Sequence, residues 1–175
     1  MEVTFVRHTS VDVPKGVCYG QSDVPLNVTF PREAEKVKAI LEGHSFGNVY
    51  TSPLSRCVRL ADYCGFTAAV KDDRLMEMNF GDWEMKGFDE IDDPHLQEWY
   101  GDYYNVATTN GESFREQQER VVRFFMEKKT RGEDNLLVFT HGGVIMQVML
   151  YTGMATLDNV FSLQPQYGEI RRITI

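Results

Sequence analysis

The run Leu136-Leu137-Val138-Phe139-Thr140 restricts the possible folds more than any other stretch of the chain. A continuous apolar segment of this length, without polar alternation, suits a strand buried on both faces, and such strands belong to parallel sheets covered by helices on each side. His141-Gly142-Gly143 follows at once and breaks into a predicted helix over residues 144–151. Strand, tight turn and helix in direct succession form the repeating unit of an α/β fold.

The same alternation recurs along the chain. Residues 2–6 read as a short strand and residues 7–28 as a long loop rich in Gly, Pro, Asp and Ser. Pro31, with Thr29 as cap, opens a helix whose Ala34, Val37, Ile40 and Leu41 repeat at helical spacing until Gly43 stops it. Residues 48–51 are a second strand, and Ser52-Pro53 is the expected cap and first turn of a helix over 54–64. A third strand is expected at 68–70, irregular structure over 72–93, and a short helix over 95–104. The strongest helix is predicted over 112–129, with Phe114, Val121, Val122, Phe125 and Met126 on its apolar face. Closing strands are expected at 161–163 and 169–175. The fold class that follows is a three-layer α/β sandwich with a mostly parallel central sheet, as one domain over residues 1–175.

Charge narrows the function. Eighteen Lys and Arg against 26 Asp and Glu leave a net charge of -8, which repels nucleic acid and anionic membrane over most of the surface. An anionic substrate must therefore meet a local basic cluster. No apolar run approaches the roughly 18 to 20 residues of a membrane span, and no leader is read ahead of the first strand, so the cytoplasm is the expected address. Cys18, Cys57 and Cys64 form no CxxC pair and are expected as free thiols. None has an Arg six positions later, so the Cys-x5-Arg phosphate loop is absent.

In open α/β sheets, ligands bind beyond the carboxyl ends of the strands. Arg7-His8, Ser52 with Arg56, and His141 each follow a predicted strand, so three distant stretches converge on one crevice. Two guanidiniums and two imidazoles suit a phosphoryl dianion, and the helix starting after His141 adds backbone N–H groups. There is no GxxxxGK loop and no HExxH helix, and His8, His44, His95 and His141 lack ligand spacing; neither a metal nor a cofactor is expected. The chemistry then needs a side-chain nucleophile. His8, at a strand end beside Arg7, is preferred over His141, which is better placed to donate to the transferring oxygens. A general acid must protonate the leaving alcohol; among Asp72, Asp73, Glu77, Asp82 and Glu84 we take Glu77, a choice that spacing alone does not decide.

Arg7-His8-Thr9, residues 51–56 (TSPLSR), residues 75–84 (LMEMNFGDWE), residues 110–113 (NGES) and residues 140–143 (THGG) together resemble the motifs of the histidine phosphatase superfamily, over nearly the whole chain. Within it, the stretch from Glu77 to Met85 and the later Asn110-Gly111-Glu112 are most similar to the α-ribazole phosphatases. The resemblance implies a phosphoglycerate mutase-like fold, a phosphohistidine at His8, a phosphate pocket completed by Arg7, Arg56, His141 and Gly142, and Glu77 as the acid. Two positions depart from the family pattern: Thr9 stands where Gly is common and Pro14 where Asn is. Gln21 or Ser52 is the expected replacement donor, and Tyr19 and Trp83, near the motifs, are expected at the substrate.

Three functions fit these residues. The first is metal-independent hydrolysis of a small phosphorylated metabolite, α-ribazole 5'-phosphate in cobalamin nucleotide-loop assembly, with aromatics including Phe88, Trp99, Tyr100, Tyr103 and Tyr104 available for a flat base. The second is a phosphatase or mutase acting on phosphoglycerate or sugar phosphates. The third is a phosphate-binding protein without turnover.

Overall fold

The computed structural model describes all of residues 1–175. Its centre is a five-stranded sheet in the order β3-β2-β4-β1-β5. The strands are β1 (Glu2–Arg7), β2 (Asn48–Thr51), β3 (Val70–Lys71), β4 (Leu136–Thr140) and β5 (Ile170–Thr174). The first four run parallel; β5 alone is antiparallel, pairing with β1 at the edge. All five residues of β4 are buried, as its unbroken apolar run requires.

Side-chain alternation along the strands divides the core in two. Val3 and Phe5 of β1, with Leu136 and Val138 of β4, pack on one face against α4 (Phe114–Thr130) and α5 (Gly142–Tyr151). Val6, Leu137 and Phe139 point to the other, against α1 (Phe30–Leu41) and α2 (Ser55–Tyr63). Truncating a buried Phe such as Phe139 would cost ~3–5 kcal/mol. Ile170 and Ile173 of β5 serve opposite faces for the same reason. The architecture is thus the expected α/β sandwich with a mostly parallel sheet.

Several local readings need correction. Residues 161–163 are not a strand: Val160–Leu163 form a 3-10 turn in which Asn159 O accepts from Ser162 N at 3.0 Å. Only Val160 is anchored in the core, and Phe161 and Leu163 are exposed. The strand expected at 68–70 shrinks to Val70–Lys71 because only Tyr50 and Thr51 remain as partners at this edge. Ser52 does not cap α2, whose N-cap is Leu54, and the Thr29 side chain bonds Asn27 and Glu33 instead of capping α1. The helix expected over 95–104 is α3 (His95–Gly101), and α5 starts two residues before residue 144, at Gly142. α4 opens with a reciprocal capping box between Ser113 and Glu116, an arrangement worth about 1 kcal/mol. Its buried face is Phe114, Gln117, Val121, Phe124, Phe125 and Lys128; Met126, like Ile40 of α1, is exposed.

Candidate active site

The site is assembled by strand register. Arg7 of β1 lies opposite Thr140 of β4, so the next residues, His8 and His141, leave the sheet side by side, with His8 N donating to Thr140 O at 3.0 Å. Their ring centroids are 5.2 Å apart. On the other side of β4, Ser52 leaves β2 with its N–H on Phe139 O at 2.9 Å, and Arg56 sits in the first turn of α2. Arg7-His8, Ser52-Arg56 and His141 therefore meet as their strand ends suggest.

His8 is buried, and its Nδ1 lies 2.8 Å from the carbonyl of Thr9. A carbonyl only accepts, so Nδ1 carries the proton and Nε2 keeps its lone pair. Burial first, then the Arg56 charge, lowers the His8 pKa well below its ordinary value; Arg7 adds to this and the Thr9 hydrogen bond opposes it. His141 is fully buried, and burial, Arg56 and His8 push its pKa down as well. Its Nε2 lies 2.8 Å from Ser52 Oγ and 3.5 Å from Cys57 Sγ.

The guanidiniums are held by peptide carbonyls. Arg56 donates from Nη1 to Ser22 O at 3.0 Å and from Nη2 to Gly20 O at 2.5 Å, and Arg7 donates to Pro165 O. The buried Nε atoms of both arginines have no protein partner, nor does the buried Thr9 hydroxyl. Unpaired buried donors are costly, and an anion would accept from them. Gly142 allows Arg7 this close: a Cβ there would lie 3.2 Å from the Arg7 guanidinium carbon.

Glu77 enters from the 3-10-rich segment between β3 and α3. Its Oε1 accepts from Met78 N and Gln117 Nε2, both at 3.0 Å, and its Oε2 from Gly143 N at 3.0 Å. Arg120 braces the same segment, donating to Met76 O at 2.7 Å and Glu77 O at 2.9 Å while pairing with Glu112 at 2.6 Å.

Arg7, His8 and Glu77 line the polar end of a 380 Å³ cavity. The rest of its wall is largely apolar, with Phe80, Phe88, Trp99, Tyr103, Phe114, Met146 and Phe161. Tyr19 also lines it, its hydroxyl 2.6 Å from that of Tyr167, whose ring lies 4.1 Å from the Arg7 guanidinium. Burial raises the Tyr19 phenol to a pKa well above its ordinary value, reinforced by Tyr167.

Other expected positions lie elsewhere. Trp83 does not reach the cavity: it is buried behind Trp99, with its indole N–H on Asp93 at 2.7 Å. Gln21 donates its side chain to Glu77 O at 3.1 Å, and Ser52 serves His141, so neither side chain is a free phosphate donor. Pro14 is exposed on the loop. Arg56, His141 and Gly142 are buried and, like Tyr100 and Tyr104, do not line the cavity itself. Met149 is buried in the core and Met154 is exposed.

Gln117, Arg120, Cys57 and Tyr167 were missed by sequence reasoning. For Gln117 a signal existed, a polar residue on the apolar face of α4 between Phe114 and Val121. Arg120 and Tyr167 reach the site through tertiary packing and carry no comparable local mark.

The family model of the histidine phosphatase superfamily (branch 1) matches residues 3–175. An adenosylcobalamin/alpha-ribazole phosphatase of Escherichia coli (strain K12) is 30% identical over 160 residues, spanning 83% of this chain and 75% of that protein. Among solved structures, the alpha-ribazole phosphatase from Shigella flexneri superposes with a TM-score of 0.83 at 24% identity, covering 100% of this chain and 91% of the other, a likeness of fold. A phosphoglycerate mutase from Thermus thermophilus gives a TM-score of 0.78 at 27% identity, covering 99% and 92%.

Proposed function

The chain belongs to branch 1 of the histidine phosphatase superfamily and is a phosphatase, and from that premise we propose that it hydrolyses α-ribazole 5'-phosphate through a phosphohistidine at His8. In this reading the lone pair of His8 Nε2 attacks phosphorus, and the bond to the leaving oxygen breaks as Glu77 gives that oxygen its proton. Arg7, Arg56 and His141 hold the phosphoryl oxygens, with backbone N–H support from Gly142 at the start of α5. The Glu77 carboxylate then takes a proton from water as that water attacks the phosphohistidine, the P–N bond breaks, and phosphate and neutral His8 are restored. The observation that carries the proposal is the 2.8 Å bond from His8 Nδ1 to Thr9 O, which leaves Nε2 unprotonated in a cavity shared with Glu77.

The substrate assignment rests on the apolar end of the cavity. Phe88, Trp99 and Phe161 offer a flat base stacking and edge contacts, and Arg7 is the only Lys or Arg in the lining. A phosphoglycerate carboxylate directed there would lose its hydration without gaining a cation. The partner in this reading is a small phosphorylated metabolite, met in the cytoplasm. No helix is long and apolar enough to cross a membrane.

Steady-state turnover in chelator of α-ribazole 5'-phosphate, 3-phosphoglycerate and a hexose phosphate tests both parts. The expected order puts α-ribazole 5'-phosphate first in kcat/KM. A preference for phosphoglycerate would overturn the substrate, and an absence of any turnover that His8→Ala removes would overturn the mechanism.

A further inference from the structure

Glu84 lies in the same motif as Glu77 but does not line the cavity. Its carboxylate instead gathers the short strap Gly20-Gln21-Ser22. Oε1 accepts from Gln21 N at 2.8 Å and Phe80 N at 3.2 Å; Oε2 accepts from Ser22 N at 2.5 Å and from the Ser22 hydroxyl. Gly20 is pressed so closely against this segment that a Cβ would fall 1.8 Å from Met78 O and 2.9 Å from Glu84 Oε1. Burial pushes the Glu84 carboxyl up, but the Ser22 hydroxyl and the three amides outweigh it and leave its pKa below the usual value. The carboxylate is thus an anionic hub for the strap.

The strap in turn carries both anchors of Arg56, the carbonyls of Gly20 and Ser22. Arg56 is fully buried, and its hydrogen-bond partners include no carboxylate. A carboxylate paired directly with it would aim the guanidinium but would also neutralise the charge that a phosphoryl group needs. Peptide carbonyls fix the fork in place and leave most of its positive charge available. We propose that Glu84 is a positioning residue for the reaction, orienting Arg56 toward the phosphoryl group through the Gly20-Gln21-Ser22 strap without touching it. Gln21 extends the same strap to the acid, through its bond to Glu77 O. The inference rests on the phosphohistidine reading for its catalytic consequence, but the orientation of Arg56 can be measured by phosphate binding alone.

The test is a double-mutant cycle between Glu84 and Arg56. In Glu84→Gln one acceptor oxygen becomes a donor, so the hub cannot satisfy both Gln21 and Ser22. Expected are a ~10- to 100-fold fall in kcat/KM for p-nitrophenyl phosphate and a ~10-fold rise in the Kd for inorganic phosphate by calorimetry. In Arg56→Met, which keeps the stem and removes the fork, the same substitution should change either quantity by less than ~2-fold. Equal losses in both backgrounds would overturn the proposal, as would no loss where Arg56 is present. Ser22→Ala removes one donor to the hub and keeps both strap carbonyls; a ~3-fold effect confined to the Arg56 background is expected, and it replaces Glu84→Gln in the cycle if that variant does not fold. If the unsubstituted protein turns over no phosphomonoester, the hydrolytic reading fails, and the calorimetric cycle still decides the role of Glu84.

Discussion

Replacing Gly143 with alanine would move the carboxyl of Glu77 while leaving His8 and both arginines in place. An ideal Cβ at Gly143 falls 2.0 Å from Glu77 Oε1 and 2.9 Å from Gln117 Nε2. An ordinary contact of ~3.4 Å therefore requires the carboxyl to retreat by about 1.4 Å. A misplacement of ~1 Å in a reacting group costs about 10²-fold, or ~2.7 kcal/mol of barrier. Stability should fall by up to ~2 kcal/mol, because the bonds that Glu77 accepts from Met78 N, Gln117 Nε2 and Gly143 N, about 1 kcal/mol each, are set against the ~1 kcal/mol helix preference of Ala over Gly. The assay compares kcat for an alkyl monoester, whose leaving oxygen needs a proton, with kcat for p-nitrophenyl phosphate, whose leaving group does not. The alkyl ester should slow by ~10²-fold and the nitrophenyl ester by less than ~3-fold, with the melting temperature lowered by no more than ~8 °C. Equal losses for the two esters, or none for the alkyl ester, would refute Glu77 as the acid.

Rapid mixing with substrate and quenching should trap an acid-labile, base-stable phosphoprotein, absent in His8→Ala; an acid-stable adduct would exclude a phosphohistidine. Trp99→Ala should raise KM for an aromatic ribotide monoester by ~10-fold, about 1.4 kcal/mol, and leave a small alkyl monoester within ~2-fold; equal effects would remove Trp99 from base binding. His8 and His141 both have folded-state pKa values below the unfolded value of about 6.5, so the unfolded chain binds more protons. The stability they contribute is complete above about pH 6.5 and is lost as pH falls toward their folded pKa values, by up to ~2.7 kcal/mol per pH unit for the pair. Urea midpoints that stay level between pH 7 and 5.5 would contradict that assignment.

The sheet was legible because β4 is apolar without interruption and because the residues that follow β1, β2 and β4 bear the chemistry. Parallel strands bring their carboxyl ends to one edge, so His8, Arg56 and His141 could be joined from sequence before any distance was known. The 3-10 turn at Val160–Leu163 was not legible: its apolar residues suit a strand, and only the missing strand partner and the Asn159 carbonyl decide against one. The work done by Gln21 and Ser52 was hidden for another reason. Both have the donor chemistry for phosphate, but Glu77 O and His141 claim them through contacts spanning 56 and 89 residues of sequence. Trp83 was placed at the substrate because it adjoins the catalytic motif in the chain; in space Trp99 takes that wall and Trp83 packs behind it.

The pairing of Arg7 with Thr140 has an architectural consequence. Adjacent parallel strands lie about 4.8 Å apart, and the 5.2 Å between the two imidazoles is close to that interval. The register thus fixes the backbone spacing from which both rings project, whatever the length of the loops that follow. The aromatic wall, which holds neither imidazole, is the part that can change for other alcohols. Sliding β1 by a single residue would face the two rings to opposite sides and end the chemistry at once.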